Sequence, residues 1–138
     1  MINISNISNQ SPYIKFKSLY KEALAEEQSN IEAICISSFD DEKKESNSRF
    51  VNLKYIIDDE WIFFSNYSGP KAKEFDFCPN ISAVFFWHKT NTQIRMKAKI
   101  FKSSSEFSDT HFEQRDKGKN ILAITSKQSS KIDSYNNF

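Results

Sequence analysis

Apolar positions in this chain follow two different periods, and the change between them separates a helix from a run of strands. Tyr13, Phe16, Tyr20, Ala23 and Leu24 recur at three- and four-residue spacing, which predicts an amphipathic helix reaching about Gln28. Ser11-Pro12 starts it, with Ser11 as the cap and Pro12 at the first helical position. From Ile31 the period shortens. Runs rich in β-branched and aromatic residues predict strands over 31–39, 49–57, 60–66, 81–88 and 92–101. Asp58-Asp59, between the second and third of these, marks a tight antiparallel hairpin. The charged connector at 40–47, DDEKKESN, reads as a hairpin loop facing water. Residues 92–101 alternate, with Ile94, Met96, Ala98 and Ile100 on one face and Gln93, Arg95, Lys97 and Lys99 on the other. Val84-Phe85-Phe86-Trp87 is apolar at every position, which predicts a central strand buried on both faces.

The remaining segments carry weaker patterns. Residues 1–10, built of Asn, Ser and Ile without a sustained period, read as a disordered arm. Residues 71–78 allow about two helical turns, stopped by Pro79. Ser103 and Glu106 form a capping box that opens a helix to about Arg115, and Gly118 breaks it. Ile121 to Ile124 supports a further short helix, and another begins near Ser129. Strands in hairpin order, with helices before, between and after them, indicate a mainly β chain with α elements (α+β). The architecture expected is an antiparallel barrel with peripheral helices, one domain over 11–138.

Composition narrows the functions. The chain has 138 residues, enough for one domain with a real core. A formal net charge of +1 provides no bulk field toward nucleic acid or an anionic membrane. With only 2 glycines, turns must rely on Asn, Asp and Ser, and a glycine-rich phosphate loop is excluded. The longest apolar run, 83–87, is too short to span a bilayer, and no basic, apolar leader opens the sequence, so a cytoplasmic location is expected. Cys35 and Cys78 stand in apolar surroundings and read as buried, reduced thiols and not a disulfide. His88 and His111 lie far apart, and no cysteine is at ligand spacing to either, which argues against a metal site. No nucleophile sits in a recognisable turn motif, and no side chain is identified as catalytic. The face of Gln93, Arg95, Lys97 and Lys99 could track a nucleic-acid backbone, with Trp87, Phe101 or Tyr55 as stacking platforms; near-neutral charge favours a solvated outer face instead. Residues 68–71, Ser-Gly-Pro-Lys, offer free N–H groups at a helix start beside Ser65, Lys71 and Arg49. They form a candidate phosphate receptor, the plain alternative being a hairpin with solvated charges.

These residues also resemble a known family in order and spacing. Arg49-Phe-Val-Asn-Leu-Lys54, then Phe63-Phe64-Ser65-Asn66-Tyr67-Ser68 and Lys71-Ala72, resemble the pyridoxamine 5′-phosphate oxidase family. Pro79-Asn80, Val84 to Trp87, and Thr92-Gln93-Ile94-Arg95 are similar to its next strands. Ser108-Asp109, Phe112, Arg115 and residues 126–130 continue the similarity, which covers roughly residues 13 to 134. The resemblance implies a split β-barrel that binds FMN at a homodimer interface. It implies that Arg49, Ser65, Lys71 and Ser129 hold the FMN phosphate, while Lys54, Phe64, Gln93 and Gln128 lie along the rest of the cofactor. Strict alternation puts Arg49 and Lys54 on opposite faces of an ideal strand, so a bulge or strong twist is expected between them. Three departures stand out. Pro70 and Thr92 replace arginines usual in the family. Of its substrate-phosphate set only Arg115 is unchanged, with His111 and Lys119 at the other positions, and Lys54 would also face the substrate. The family's C-terminal strand region has no counterpart before Phe138. The function expected is an FMN-dependent oxidase acting on pyridoxamine or pyridoxine 5′-phosphate or another small phosphorylated substrate. The alternatives are a flavin-binding module without turnover and a small nucleic-acid-binding barrel.

Overall fold

A computed structural model of the chain describes residues 1–66, 75–103, 119–126 and 133–136. Its elements are β1 (Asn3–Ser5), α1 (Ser11–Ala25), β2 (Ala33–Asp40), β3 (Glu45–Ile57), β4 (Glu60–Asn66), β5 (Asn80–Trp87), β6 (Thr92–Lys102), β7 (Lys119–Ser126) and β8 (Asp133–Asn136). The sheet order is β1-β3-β2-β5-β6-β7-β4, and pairing of β4 back onto β3 closes six antiparallel strands into a barrel. Closure leaves no free edge among those six. β1 lies parallel to β3 outside the ring, and β8 pairs with the start of β6.

The interior follows from strand alternation. Ile34 and Ile36 on β2, Leu53 on β3, Phe63 on β4, Phe85 on β5 and Ile94 on β6 are fully buried. α1 lays Tyr13, Phe16, Leu19, Tyr20 and Ala23 against this interior. Phe16 meets Trp61 edge-on at 4.6 Å and lies 5.9 Å from both Phe85 and Trp87. The helix therefore plugs the end of the barrel where β3 finishes and β4 begins. Trp87 Nε1 donates to the Ile31 carbonyl at 3.0 Å, which satisfies a buried indole.

Several expectations change. α1 begins at Ser11, with Gln10 in the cap position and no side-chain capping bond; the Gln10 carbonyl accepts from Tyr13 and Ile14 instead. The segment read as a disordered arm carries β1, because its isoleucines find apolar partners: Ile2 is buried, and its N–H donates to Tyr20 Oη at 2.8 Å. The connector at 40–47 shortens to a turn, since β2 and β3 stay in register from Ala33 with Asn52 to Asp40 with Glu45. Asp40 Oδ1 organises that turn by accepting the N–H groups of Glu42 and Lys43. Ile121 to Ile124, read as helix, lies in β7, where Leu122, Ala123 and Ile124 are all buried between β4 and β6. The sequence beyond Ser129 carries the strand β8, not a helix, among its described residues. β5 is central, as expected, but buries one face only: Phe86 is 54% exposed. Left-handed backbone falls on Asn6, Asn30, Asp58 and Asn91, as glycine scarcity requires, and on Glu27 and Lys44 as well. The expected helix at 103–115 lies outside the described residues, as does most of the one at 71–78, of which 75–77 is helical.

Candidate functional site

At the barrel end away from α1, polar groups enter the interior. Arg49 is registered with Ile36, whose side chain is fully buried, while its neighbour Phe50 is 74% exposed, so Arg49 belongs to the inner face of β3. Its Nη1 donates to Ser38 Oγ at 2.8 Å and to the Ile36 carbonyl at 3.3 Å. The guanidinium also lies 5.6 Å from the centroid of the buried Phe75 ring, a cation–π contact. Ser65, two residues past the interior Phe63, is buried at the same end of the β3–β4 pair. Its Oγ has no hydrogen-bond partner among the described residues. A buried hydroxyl without a partner costs free energy, so a donor aimed into this space favours an acceptor such as a phosphate oxygen.

Lys54 occupies an irregularity in the ladder. Leu53 pairs with Phe63 and Tyr55 with Ile62, so β3 spends one residue more than β4, and Lys54 is that residue. The bulge that shared roles for Arg49 and Lys54 required is present at this point. Beyond it, Tyr55 faces outward and meets Phe64 edge-on at 6.2 Å, in a second apolar cluster with Ile62 and Ala123. Phe64 is thus on the outer face, next in sequence to the inward Ser65. Gln93 is also on the outer face, of β6, registered with the exposed Phe86 and, across the other edge, with Tyr135.

These positions do not all lie on one wall of the barrel. Following the ring from β3 through β2 and β5 to β6 crosses three strand spacings, and the other way round, through β4 and β7, also crosses three. At ~4.8 Å per spacing, β6 with Gln93 stands opposite β3 with Arg49. The structure brings together Arg49 and Ser65, with Lys54 beyond them on the same strand, and leaves Gln93 on the far wall.

Lys71, His111, Arg115, Gln128 and Ser129 lie outside the described residues. Lys71 falls in the stretch 67–74, between buried Ser65 and buried Phe75. Gln128 and Ser129 fall between Ser126, registered with Ala98, and Asp133, registered with Arg95, both on β6. Lys119 opens β7 in register with Asn66, which sets its backbone beside the end of β4 that carries Ser65. Ser38 and Phe75 were not singled out from sequence: a strand serine and a lone phenylalanine carry no local signal, and only the fold sets them on Arg49. Cys35 and Cys78 are free but only half-buried, not buried as expected, because Cys35 falls on the outer face of β2 between the buried Ile34 and Ile36 and Cys78 lies in the connection before β5. No group of metal-ligating side chains occurs among the described residues. No helix among them is long and apolar enough to cross a membrane.

No protein-family profile matches the chain. Its sequence is 31% identical over 126 residues to a pyridoxine/pyridoxamine 5′-phosphate oxidase of Burkholderia thailandensis. It is 30% identical over 125 residues to a protein of the same name from Leptospira interrogans. Each alignment takes in 91% of this chain and 58% of the relative, so the chain spans somewhat over half the length of these curated relatives. Among solved structures, PhzG from Burkholderia lata in complex with tetrahydrophenazine-1-carboxylic acid superposes with a TM-score of 0.69 at 13% identity, covering 92% of this chain and 87% of its own. A pyridoxamine 5′-phosphate oxidase-related, FMN binding protein from Nostoc punctiforme gives 0.63 at 10%, covering 89% and 97%. HutZ, the heme storage protein from Vibrio cholerae, gives 0.59 at 8%, covering 89% and 95%. At such identities these structures establish the split-barrel fold alone.

Proposed function

The chain is a homologue of the pyridoxine/pyridoxamine 5′-phosphate oxidases, and on that premise we propose that it is an FMN-binding oxidoreductase working as a homodimer. The observation that carries this reading is the division of the implied cofactor residues between opposite walls of the barrel. Arg49 and Ser65 share one end, and Gln93 sits outward on the opposite strand. A second copy of the chain would complete the set around the cofactor. The surface between β3 and β6 suits it, since Phe50 and Phe86 are exposed there with Val84 and Cys35 half-buried beside them. Apolar surface of this kind, rimmed by Arg95 and Gln93, marks an interaction face.

Within this reading Arg49, Ser65, Lys71 and Ser129 hold the FMN phosphate, and Lys54, Phe64, Gln93 and Gln128 line the rest of the cofactor. The buried Oγ of Ser65, which has no partner among the described residues, fits a phosphate acceptor, and the Arg49 guanidinium, held on Ser38, is already oriented at that end. When bound, FMN supplies a two-electron acceptor that dioxygen can reoxidise. The protein's part is to bind, orient and shield the cofactor and to present substrate to it. Arg115, with His111 and Lys119, would attract the phosphate of pyridoxamine 5′-phosphate, pyridoxine 5′-phosphate or another small phosphorylated substrate.

A second reading, a flavin-binding module without turnover, draws on one observation: a similar fold belongs to HutZ, the heme storage protein from Vibrio cholerae. The visible spectrum of the purified protein comes first, followed by titration of the apo form with FMN and a sedimentation measurement. Saturable flavin quenching by a dimer supports both readings, and oxygen uptake with pyridoxamine 5′-phosphate then selects the oxidase. Protein that ignores saturating FMN overturns both.

A further inference from the structure

A second polar opening lies where β2 and β5 part, and the flavin reading leaves it unused. The two strands are in register only from Cys35 with Val84 to Ser37 with Ser82. Beyond that pair β2 continues to Asp40 along β3, while β5 begins at Asn80 along β6. The divergence opens a cleft of about 270 Å³, whose polar lining is Ser37, Ser38, Ser46, Asn80, Ser82 and Lys97. This lies just under the ~300–1,000 Å³ of sites for drug-sized ligands, so its occupant is small.

The chemistry of the lining points to the sign of that occupant. Among the described residues Lys97 is the one charged residue on it, and none of those that line it is a carboxylate. Lys99, registered with Asn80, and Arg95, registered with Val84, flank Lys97 along the same exposed face of β6 and raise the local positive potential. Behind the wall, Arg49 donates to Ser38 Oγ, which sets a second fixed cation one side chain from the cleft. Ser82 and Ser46 bring exposed hydroxyls and Asn80 an amide, while Ser37 Oγ is tied to Ser48 Oγ at 2.7 Å and holds the rim in place. Hydroxyl and amide donors converging around an ammonium suit an oxyanion.

We propose that this cleft binds a small oxyanion: inorganic phosphate or the phosphoryl end of a small phosphomonoester. Lys97 supplies the charge, Ser82 and Asn80 supply donors, and Ser38, backed by Arg49, forms the inner wall. The site meets the flavin reading only at Ser38, which accepts from Arg49; its own charge, Lys97, takes no part in that reading.

The test is an amide-resolved NMR titration of the full chain with inorganic phosphate at constant ionic strength, repeated with glycerol phosphate and with chloride. Saturable shifts at Ser37, Ser82 and Lys97 are expected with one or both phosphates and not with chloride; tighter binding of glycerol phosphate identifies the phosphomonoester as the natural source. In Lys97→Ala the affinity should fall about tenfold, the loss of one hydrogen bond to a charged group. Ser82→Val, which fills the cleft on an exposed strand position, should abolish saturation while the rest of the spectrum stays native. Lys71→Ala should remove flavin and leave the cleft titration intact, so failure of the flavin reading and failure of this one are told apart. Shifts that do not saturate, that chloride reproduces, or that survive Lys97→Ala unchanged overturn the proposal.

Discussion

The two ends of this barrel are built from different materials. At the end closed by α1, aromatic rings do the packing: Phe16, Tyr20, Trp61, Phe85 and Trp87 are buried in mutual contact. Polar atoms there are mostly paired, as in Trp87 Nε1 on the Ile31 carbonyl and the Ile2 N–H on Tyr20 Oη; Trp61 Nε1 has no partner among the described residues. At the other end the interior admits a guanidinium and a serine hydroxyl, and the wall opens between β2 and β5. The two ends carry different loads. The aromatic end can hold the ring of strands in register, so the polar end is free to carry groups that are costly to bury.

This division can be attacked from both sides. Phe16→Ala should have the largest effect, a loss of about 3–5 kcal/mol of stability, since a fully buried ring is removed from between four others. Denaturant unfolding measures it, and flavin affinity per folded molecule should not change; a matching drop in affinity would mean that the two ends are coupled. Arg49→Ala should act in the opposite way, weakening FMN binding by about 1.5–3 kcal/mol, the range for a hydrogen bond to a charged group. Its unfolding midpoint should move less than its affinity.

Tyr20→Phe is next, expected to cost about 1–3 kcal/mol because the buried Ile2 N–H loses its acceptor. This residue also gives the aromatic end a pH signature. Burial raises the Tyr20 phenol above its ordinary value of 10.0, the Ile2 hydrogen bond partly opposes this, and the charge of Glu32 adds to it. In the native state the phenol keeps its proton at a pH where the unfolded chain has released it. That contribution to stability is therefore complete below about pH 10 and is lost as pH rises through the native value. Alkaline unfolding curves of the wild type and of Tyr20→Phe should converge above that range. Ser65→Ala should be the mildest change, within about 0.5 kcal/mol or slightly stabilising in the apo protein, because the hydroxyl lost has no partner among the described residues. It should nevertheless weaken FMN binding measurably, and a variant that binds flavin as tightly as the wild type would remove Ser65 from the site.

What could be read in advance divides along similar lines. β4 was legible because Trp61 to Phe64 form a β-rich run bounded by Asp58-Asp59 and by Ser65-Asn66. β7 was not, since four apolar residues in a row fit a buried strand as well as a helical turn, and only pairing with both β4 and β6 decides between them. β1 escaped because three residues hold no period, and its order comes from contacts with β3 and from Tyr20, distant in sequence. The outward Phe86 reads as core in the sequence because hydrophobicity alone does not say whether a neighbouring strand or another molecule covers it. In the site, Arg49 and Ser65 emerge from the cation and hydroxyl set beside a helix start, and Lys54 from a resemblance in spacing. Ser38 could not, because it reaches Arg49 from the position two along from the registered Ile36.

The irregular step in β3 has a consequence for how this strand tolerates change. A ladder running Leu53 with Phe63 and then Tyr55 with Ile62 is regular in every respect except that Lys54 stands between the two pairs. Delete Lys54, and the pairs become consecutive: Leu53 still faces the core, Tyr55 still faces out, and Arg49 keeps its partner on β2. Within this strand a deletion at 54 behaves like loop trimming, whereas a deletion at Val51 or Leu53 would send a whole face to the wrong side. Lys54 is an insertion that the ladder accommodates without depending on it, so any role it has rests on its side chain and not on its place in the strand.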